Sequence, residues 1–201
     1  MGDLIDVSGL GKLSIAKDAK VPLLVVFGGK TVGRPSGVYM WDFMNAVQDR
    51  FHIFVAVNHH VNGKKAYDAL LSTLQTQSVN PSQQILYLFS GGYGPGMDLP
   101  ASLMNSKSPD PFSPIFLVDI WMGIGQQSGS ASPDFYRALV SKNSDKISYV
   151  HTSGGAVNNE ARDFLVKTLG AQKAILVKGQ KGEDSMDTHM RTNTVAVGML
   201  P

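Results

Sequence analysis

Residues 83–96 read Gln-Gln-Ile-Leu-Tyr-Leu-Phe-Ser-Gly-Gly-Tyr-Gly-Pro-Gly, and they are the most informative stretch of this chain. The apolar run over residues 85–89 is typical of a strand that is buried on both faces of a sheet. The run stops at Ser90, and two glycines follow directly. A strand that ends in serine and then glycine can lift the hydroxyl onto a sharp turn, where it can attack a carbonyl. We therefore expect Ser90 to be a nucleophile, with a base, an acid and an oxyanion site elsewhere in the chain.

The same alternation of apolar runs and helical patterns recurs on both sides of this stretch. The apolar runs predict strands over 22–27, 51–57, 85–89, 115–120, 146–150 and 173–177. Apolar stripes at helical spacing and cap residues predict helices over 37–50, 64–77, 96–105, 132–142, 158–169 and 192–200. Alternation at this spacing implies right-handed crossovers and helices on both faces of the sheet. The sequence therefore predicts an α/β three-layer sandwich with a mainly parallel sheet of about six strands.

The length of the chain favours one domain. A chain of 201 residues suits a single sizeable core, and no linker-like segment divides it. We therefore expect one domain over residues 1–201. Residues 1–20 are small and mixed, and we interpret them as a lead-in segment with the character of an edge hairpin.

The composition excludes several classes of function. Hydrophobic residues make up 43% and charged residues 17%, which is typical of a globular protein. The net charge of +2 comes from scattered basic residues, so nucleic acid is not an expected partner. The chain has no cysteine, which excludes disulfides, a thiolate nucleophile and a zinc–thiolate site. No apolar run is long enough for a transmembrane segment and the N-terminus lacks a signal-peptide pattern, so the cytoplasm is the default expectation.

Three side chains at predicted strand ends or in the loop after the last strand have the chemistry that acyl transfer needs. Ser90 follows the third strand, Asp119 lies at the end of the fourth, and His189 lies in the predicted loop 184–190 before the last helix. Functional loops of a parallel sheet gather at the carboxyl ends of its strands. A serine hydroxyl needs an imidazole to accept its proton, and a carboxylate on the other ring nitrogen orients that imidazole. We therefore expect Ser90 to be the nucleophile, His189 the base and Asp119 the acid.

Backbone amides are the candidates for the oxyanion site. The amide of Gly91 follows the nucleophile at the start of a helix, and Gly29 lies in the loop after the first predicted strand. Glycines let N–H groups come close to a developing oxyanion. We expect Gly29 and Gly91 to form this site.

The chain resembles a small α/β-hydrolase of the compact esterase, lipase or cutinase type, over roughly residues 21–200. The resemblance rests on the order serine, acid, histidine and on the turn Leu88-Phe89-Ser90-Gly91-Gly92. It implies hydrolysis of an ester or related acyl bond through an acyl-enzyme, without a cofactor or metal. Small-molecule, lipid or polymeric esters would be the substrates. The family pattern is Gly-x-Ser-x-Gly, and in this chain Leu88 stands in place of the first glycine, which normally relieves crowding under the turn.

Alternatives remain open for individual residues. Glu160, after the fifth predicted strand, is the rival acid, and His151 is a rival base. Asp184 and Asp187 are interpreted as solvated loop charges. A metal site at His59-His60 is disfavoured, because neighbouring side chains of an extended segment point to opposite sides.

Further candidates concern the substrate and a phosphate group. Trp121 and Met122 are candidates for an acyl pocket, and Arg34 is a candidate for contact with an anionic group. Gly29-Lys30-Thr31 imitates the end of a P-loop, but Leu24 occupies the place of the glycine that this motif requires.

Two other functions compete with hydrolysis. Leu88 in the turn favours a non-catalytic protein of the same fold that binds or assembles. The glycines at 92, 94 and 96, with Asp119 after the next strand, imitate a dinucleotide-binding turn.

Overall fold

The computed structural model describes residues 4–29, 36–105, 111–120, 133–153 and 159–201. Its centre is one sheet of eight strands in the order β1-β2-β4-β3-β5-β6-β7-β8. The strands are β1 (Ile5–Asp6), β2 (Gly11–Ser14), β3 (Leu23–Phe27), β4 (His52–Ala56), β5 (Gln84–Phe89), β6 (Phe112–Val118), β7 (Ile147–Thr152) and β8 (Ala174–Val177). β2 pairs antiparallel with β1 on one side and with β4 on the other. The strands from β3 to β8 pair with one another in parallel.

Helices cover both faces of the sheet. They are α1 (Ser36–Met44), α2 (Gly63–Thr76), α3 (Tyr93–Asn105), α4 (Pro133–Lys142), α5 (Asn159–Leu169) and α6 (Ser185–Gly198). Short 3-10 turns follow α1 at Asn45–Val47 and precede α3 at Ser90–Gly92. α2, α3, α4 and α5 contribute to one apolar core, and α1 and α6 contribute to the other. The predicted three-layer α/β architecture is confirmed.

The central strands are apolar throughout because both faces of the sheet are buried. In β3 every residue is buried, with Leu23, Val25 and Phe27 in the core under α2 to α5. Leu24 and Val26 point to the core under α1 and α6. Burial of one such side chain contributes about 1.5–3 kcal/mol to folding. The continuous apolar runs in the sequence are therefore explained by the two cores.

The sheet has eight strands rather than about six, because the lead-in segment contributes two. Ile5 of β1 pairs with Leu13 of β2, and the turn between them has positive φ values of 52° at Ser8 and 69° at Gly9. The segment is therefore an antiparallel hairpin at the edge of the sheet, as its composition indicated.

The last helix begins earlier than predicted, and this changes the setting of His189. α6 starts at Ser185 instead of residue 192, so the predicted loop 184–190 is wrong. Asp184 caps the helix by accepting the Asp187 N–H at 2.8 Å, and Asp187 accepts the Asp184 N–H at 3.4 Å in return. The two aspartates are thus a capping box rather than solvated loop charges. His189 is held in the second turn of a helix.

Smaller boundary differences lie near the site. β6 ends at Val118, two residues before the predicted end, so Asp119 follows the strand directly. β7 continues to Thr152, which places His151 inside the strand rather than after it. α3 begins at Tyr93 and contains Pro100. Among the helices of the described residues, none has the length and hydropathy that crossing a membrane would require.

Candidate active site

Ser90 lies on a strained turn between β5 and α3. It is the first residue of the 3-10 turn, and its φ of 53° lies in the left-handed region that non-glycine residues rarely adopt. The residue is buried, with 5% of its surface exposed. Such outliers persist only where the surrounding structure holds them, and they cluster at functional sites. The sharp turn expected from the sequence is present.

The end of β3 packs directly against this turn. A Cβ atom at Gly29 would lie 2.5 Å from the Gly91 nitrogen and 2.7 Å from Ser90 Oγ, so only glycine fits there. The close approach brings Gly29 and the amide of Gly91 side by side next to Ser90. These are the two positions that the sequence analysis assigned to the oxyanion site.

The glycine that the resemblance leads one to expect at position 88 has a counterpart in α3. Leu88 is fully buried, and a Cβ atom at Gly96 would lie 2.0 Å from its Cδ2 atom. The crowding under the turn is therefore relieved in α3, at Gly96, instead of in β5. Leu88 is compatible with the geometry of Ser90.

Tyr39 of α1 fixes the loop that contains Gly29, and the sequence analysis missed it. Its hydroxyl donates a hydrogen bond to the Gly29 carbonyl at 2.9 Å, and its ring packs edge-on against Phe89 at 6.2 Å. Burial raises the pKa of the Tyr39 phenol well above its ordinary value, so the group stays a neutral donor. Tyr39 thereby ties α1 to the turn that holds Ser90.

Asp119 and His189 form a buried pair. His189 Nδ1 lies 2.6 Å from Asp119 Oδ2, with Asp119 fully buried and 4% of the His189 surface exposed. The imidazole stacks on the ring of Phe89, at 4.6 Å between ring centroids. Phe89 directly precedes Ser90, so the pair lies beside the strand that carries the serine. The structure brings together the acid and the base that the sequence suggested.

Asp119 also has a strained backbone and several donors. Its φ is 39°, and its N–H donates to the Val150 carbonyl of β7 at 2.7 Å. The Thr152 N–H donates to Asp119 Oδ1 at 3.0 Å. Thr152 Oγ1 lies 3.2 Å from Oδ1 and 3.1 Å from Oδ2. A buried carboxylate requires such donors, because an unsolvated charge is costly. The sequence analysis did not single out Thr152.

The rival acid and the rival base lie elsewhere. Glu160 is exposed on α5 and pairs with Arg137 of α4. His151 stacks on Tyr149 at 4.9 Å, and its Nδ1 lies 3.0 Å from the Thr152 carbonyl. Tyr149 belongs to the core under α2 to α5, whereas His189 stacks on Phe89 in the opposite core. Neither Glu160 nor His151 joins the pair.

The expectation that the side chains of His59 and His60 point to opposite sides of an extended segment is wrong. The two rings lie 3.7 Å apart in a turn, and they do not point to opposite sides of an extended segment. Over residues 4–29, 36–105, 111–120, 133–153 and 159–201, no group of three or more His, Cys, Asp or Glu side chains could hold a metal ion.

The glycines of the imitated dinucleotide turn have packing roles. A Cβ atom at Gly92 would lie 2.1 Å from the Phe27 carbonyl oxygen, and Gly96 faces Leu88. The Asp119 carboxylate makes hydrogen-bonding contacts with His189 and Thr152.

Several other candidates lie outside the described residues, namely Lys30, Thr31, Arg34, Trp121 and Met122.

Comparisons with known proteins identify the fold. No protein-family model matches the sequence, and no curated protein matches it significantly. Carboxyl esterase 2 from the mycorrhizal fungus Tuber melanosporum is 15% identical, with a TM-score of 0.61 over 93% of this chain and 79% of that chain. Thermogutta terrifontis esterase 2 phosphoramylated by tabun is 12% identical, with a TM-score of 0.60 over 98% of this chain and 93% of that chain. Est1E from Butyrivibrio proteoclasticus is 15% identical, with a TM-score of 0.55 over 98% of this chain and 94% of that chain. The chain has the α/β-hydrolase fold.

Proposed function

We propose that this chain of α/β-hydrolase fold is a serine hydrolase that cleaves an ester or related acyl bond through an acyl-enzyme. One observation carries the proposal above the others. It is the buried contact of 2.6 Å between His189 Nδ1 and Asp119 Oδ2, with the imidazole stacked on Phe89, the residue before the strained turn at Ser90. Small-molecule, lipid or polymeric esters are the proposed substrates.

The proposed reaction begins with attack of Ser90 Oγ on the substrate carbonyl. His189 Nε2 accepts the hydroxyl proton, and the carbonyl oxygen becomes an oxyanion held by backbone N–H groups at Gly91 and the Gly29 loop. The tetrahedral intermediate then collapses, and the leaving alcohol takes the proton from His189. Water repeats the sequence on the acyl-enzyme, which releases the carboxylic acid and restores Ser90.

Asp119 supports this assignment of protons. When Nδ1–H of His189 donates to the carboxylate, Nε2 carries the lone pair that a general base needs. The carboxylate also stabilises the imidazolium that forms during attack. Each of these effects requires the two side chains to be in hydrogen-bonding contact.

The fold neighbours suggest a chemical probe. Thermogutta terrifontis esterase 2 has a structure phosphorylated by paraoxon, at 11% identity and a TM-score of 0.56. We propose that Ser90 is open to the same reaction. The space that Gly96 leaves for Leu88 supports the catalytic proposal over a non-catalytic protein of the same fold.

Paraoxon labelling followed by intact mass and peptide analysis tests the proposal. The wild type should gain one diethylphosphoryl group on Ser90 and hydrolyse p-nitrophenyl acetate, and Ser90→Ala should lose both properties. Ser78 provides a matched control, because its φ of 56° is nearly that of Ser90. Ser78→Ala should be labelled as the wild type is. A folded wild type that neither labels nor hydrolyses the ester would identify a non-catalytic protein.

A further inference from the structure

The carboxylate of Asp119 is a buried charge whose orientation decides whether it meets His189. A carboxylate can rotate about its terminal bond, where the torsional preference is broad. In this site Oδ2 must face Nδ1 of His189, at 2.6 Å, while Oδ1 points elsewhere. Some neighbouring group must therefore hold the other oxygen.

Thr152 contacts both oxygens from a rigid position. Its N–H donates to Oδ1 at 3.0 Å, and its hydroxyl lies 3.2 Å from Oδ1 and 3.1 Å from Oδ2. The residue is 4% exposed and pairs with Val177 in the ladder between β7 and β8. β7 is also paired along β6, the strand that directly precedes Asp119. The donor and the acceptor thus belong to neighbouring strands of one sheet.

We propose that Thr152 is the positioning residue of the acid, and that its hydroxyl holds the Asp119 carboxylate in the orientation that binds His189. This proposal rests on the proposed function. Thr152 acts through Asp119 and takes no proton from the reaction. The end of β7 therefore contributes hydrogen bonds to the acid, while the carboxylate itself comes from the end of β6.

The backbone N–H alone does not fix the carboxylate. It reaches only Oδ1, so without the hydroxyl the only contact on Oδ2 among those described would be the one with His189 itself. The hydroxyl adds a second donor near both oxygens and so restricts rotation of the carboxylate about its terminal bond. Hydrogen bonds to a charged group are roughly twice as strong as neutral ones, so the loss of this donor has a measurable effect.

Thr152→Val and Thr152→Ser separate the hydroxyl from the shape of the side chain. Thr152→Val removes the hydroxyl, and kcat should fall about tenfold or more, since a loss of about 1.4 kcal/mol in transition-state stabilisation is a factor of ten. KM should change less than about twofold, because Thr152 does not contact substrate in the proposal. Thr152→Ser keeps the hydroxyl and should restore kcat to within about threefold of wild type. A Thr152→Val enzyme with wild-type kcat, or a Thr152→Ser enzyme as slow as Thr152→Val, would overturn the proposal.

A double-mutant cycle asks whether Thr152 acts through Asp119. In the Asp119→Asn background, Thr152→Val should cause almost no further loss, since residues that act as a unit are not additive. Thr73 is a matched control, because its Oγ1 donates to the Ala69 carbonyl within α2 at 2.9 Å. Thr73→Val should leave kcat unchanged in both backgrounds. Losses from Thr152→Val that multiply independently of Asp119 would show a merely structural role and overturn the proposal.

A proton NMR experiment distinguishes failure of this proposal from failure of the proposed function. The Nδ1 proton of His189 should give a far-downfield resonance in the wild type, assigned by its loss in His189→Gln. Thr152→Val should shift or broaden this resonance, and Thr152→Ser should retain it, even if the wild type has no esterase activity. An identical resonance in wild type and Thr152→Val would overturn the positioning role, as would a wild type without the resonance. Absence of paraoxon labelling together with the expected shift would overturn only the proposed function.

Discussion

Two residues of the candidate site have backbone conformations that L-amino acids rarely adopt. Ser90 and Asp119 have φ values of 53° and 39°, and each directly follows a strand of the parallel sheet. The strands are fixed by their ladders, so the strain falls on the single residue where each strand ends. As a result, both side chains are directed by rigid elements rather than by flexible loops.

The first prediction concerns the acid. Asp119→Asn should lower kcat by about 10⁴-fold, because the amide favours the wrong tautomer of His189 without removing the side chain. Esterase kinetics would measure the effect, and the circular dichroism spectrum should stay that of the wild type. Glu160→Gln is the matched control and should retain activity, since Glu160 pairs with Arg137 on the surface. A strong loss in Glu160→Gln with little effect in Asp119→Asn would transfer the role of acid to Glu160.

The second prediction concerns the contact between β3 and the serine turn. Gly29→Ala should destabilise the protein by about 1–3 kcal/mol through overpacking and should abolish paraoxon labelling. The added methyl group would lie 2.5 Å from the Gly91 nitrogen, so one of the two backbones must move. Gly198→Ala is the control, because a Cβ at that position would have no heavy atom within 4 Å apart from its own neighbouring stretch of helix. Urea unfolding and labelling would be measured on both variants, and normal labelling of Gly29→Ala would argue against the assigned oxyanion site.

At the scale of elements, α6 determines where His189 lies. The helix begins with the reciprocal bonds between Asp184 and Asp187, and His189 follows two residues later. Thr192 donates its hydroxyl to the His189 carbonyl at 2.6 Å, within the next turn. The position of the imidazole therefore depends on the correct start of the helix.

The third prediction concerns the N-terminal cap of α6, on which the position of His189 depends. Asp184→Ala should lower the free energy of unfolding by about 1 kcal/mol, the usual cost of removing an N-terminal cap. Asp184→Asn should keep the stability, because asparagine caps helices as well as aspartate does. Chemical denaturation would give both values, and esterase activity near the melting temperature should fall first in Asp184→Ala. Equal stability of Asp184→Ala and wild type would mean that the cap does not hold the first turn.

The elements of the parallel sheet could be predicted because both of its faces are buried. The apolar runs that became β3 and β5 are continuous, and few other structures explain such runs. The start of α6 could not be predicted in the same way. Its capping box carries Asp187 at the position where the usual pattern has glutamate or glutamine. The polar, methionine-flanked segment therefore looked like a loop.

The candidate site was predictable only in part, because some of its residues carry no distinctive signal in the sequence. Ser90 and Asp119 carry chemistry that is visible in the sequence at strand ends, and His189 was visible as a histidine between the last strand and the end of the chain. Thr152 is a β-branched residue in a strand, and Tyr39 is an aromatic residue in a largely apolar helix, so each has an ordinary explanation. Their contacts with Asp119 and Gly29 depend on the strand order, which a single sequence does not specify.

In the molecule as a whole, His52 of β4 holds the connection between β2 and β3 against the sheet. This buried residue of β4 accepts the Ala16 N–H on Nδ1 at 3.2 Å, and its Nε2 lies 3.3 Å from the Ala19 carbonyl. These partners assign the neutral tautomer with the proton on Nε2. Burial lowers the pKa of His52 below its ordinary value of 6.5. A proton on Nδ1 would face the Ala16 N–H, so both burial and hydrogen bonding oppose the charged ring.

The fourth prediction follows from this pKa. Because the unfolded chain takes up the His52 proton at higher pH than the folded protein, stability is present above pH 6.5 and is lost as the pH falls toward the folded pKa. Urea unfolding between pH 8 and pH 5 should show this decline. His52→Gln should be less stable than wild type at pH 8 but should decline less on acidification. Parallel declines in the two proteins would assign the pH dependence to other groups.

The two positive φ values have a consequence for evolution and engineering of this molecule. Ser90 and Asp119 each hold conformational energy that glycine would not, of the order of 1 kcal/mol or more per residue. Selection for thermal robustness alone would therefore favour glycine at position 90, which would erase the proposed nucleophile. At position 119 the hydrogen bonds of the buried carboxylate to His189 and Thr152 oppose such a change. Directed evolution for heat resistance should therefore be screened for activity in every round.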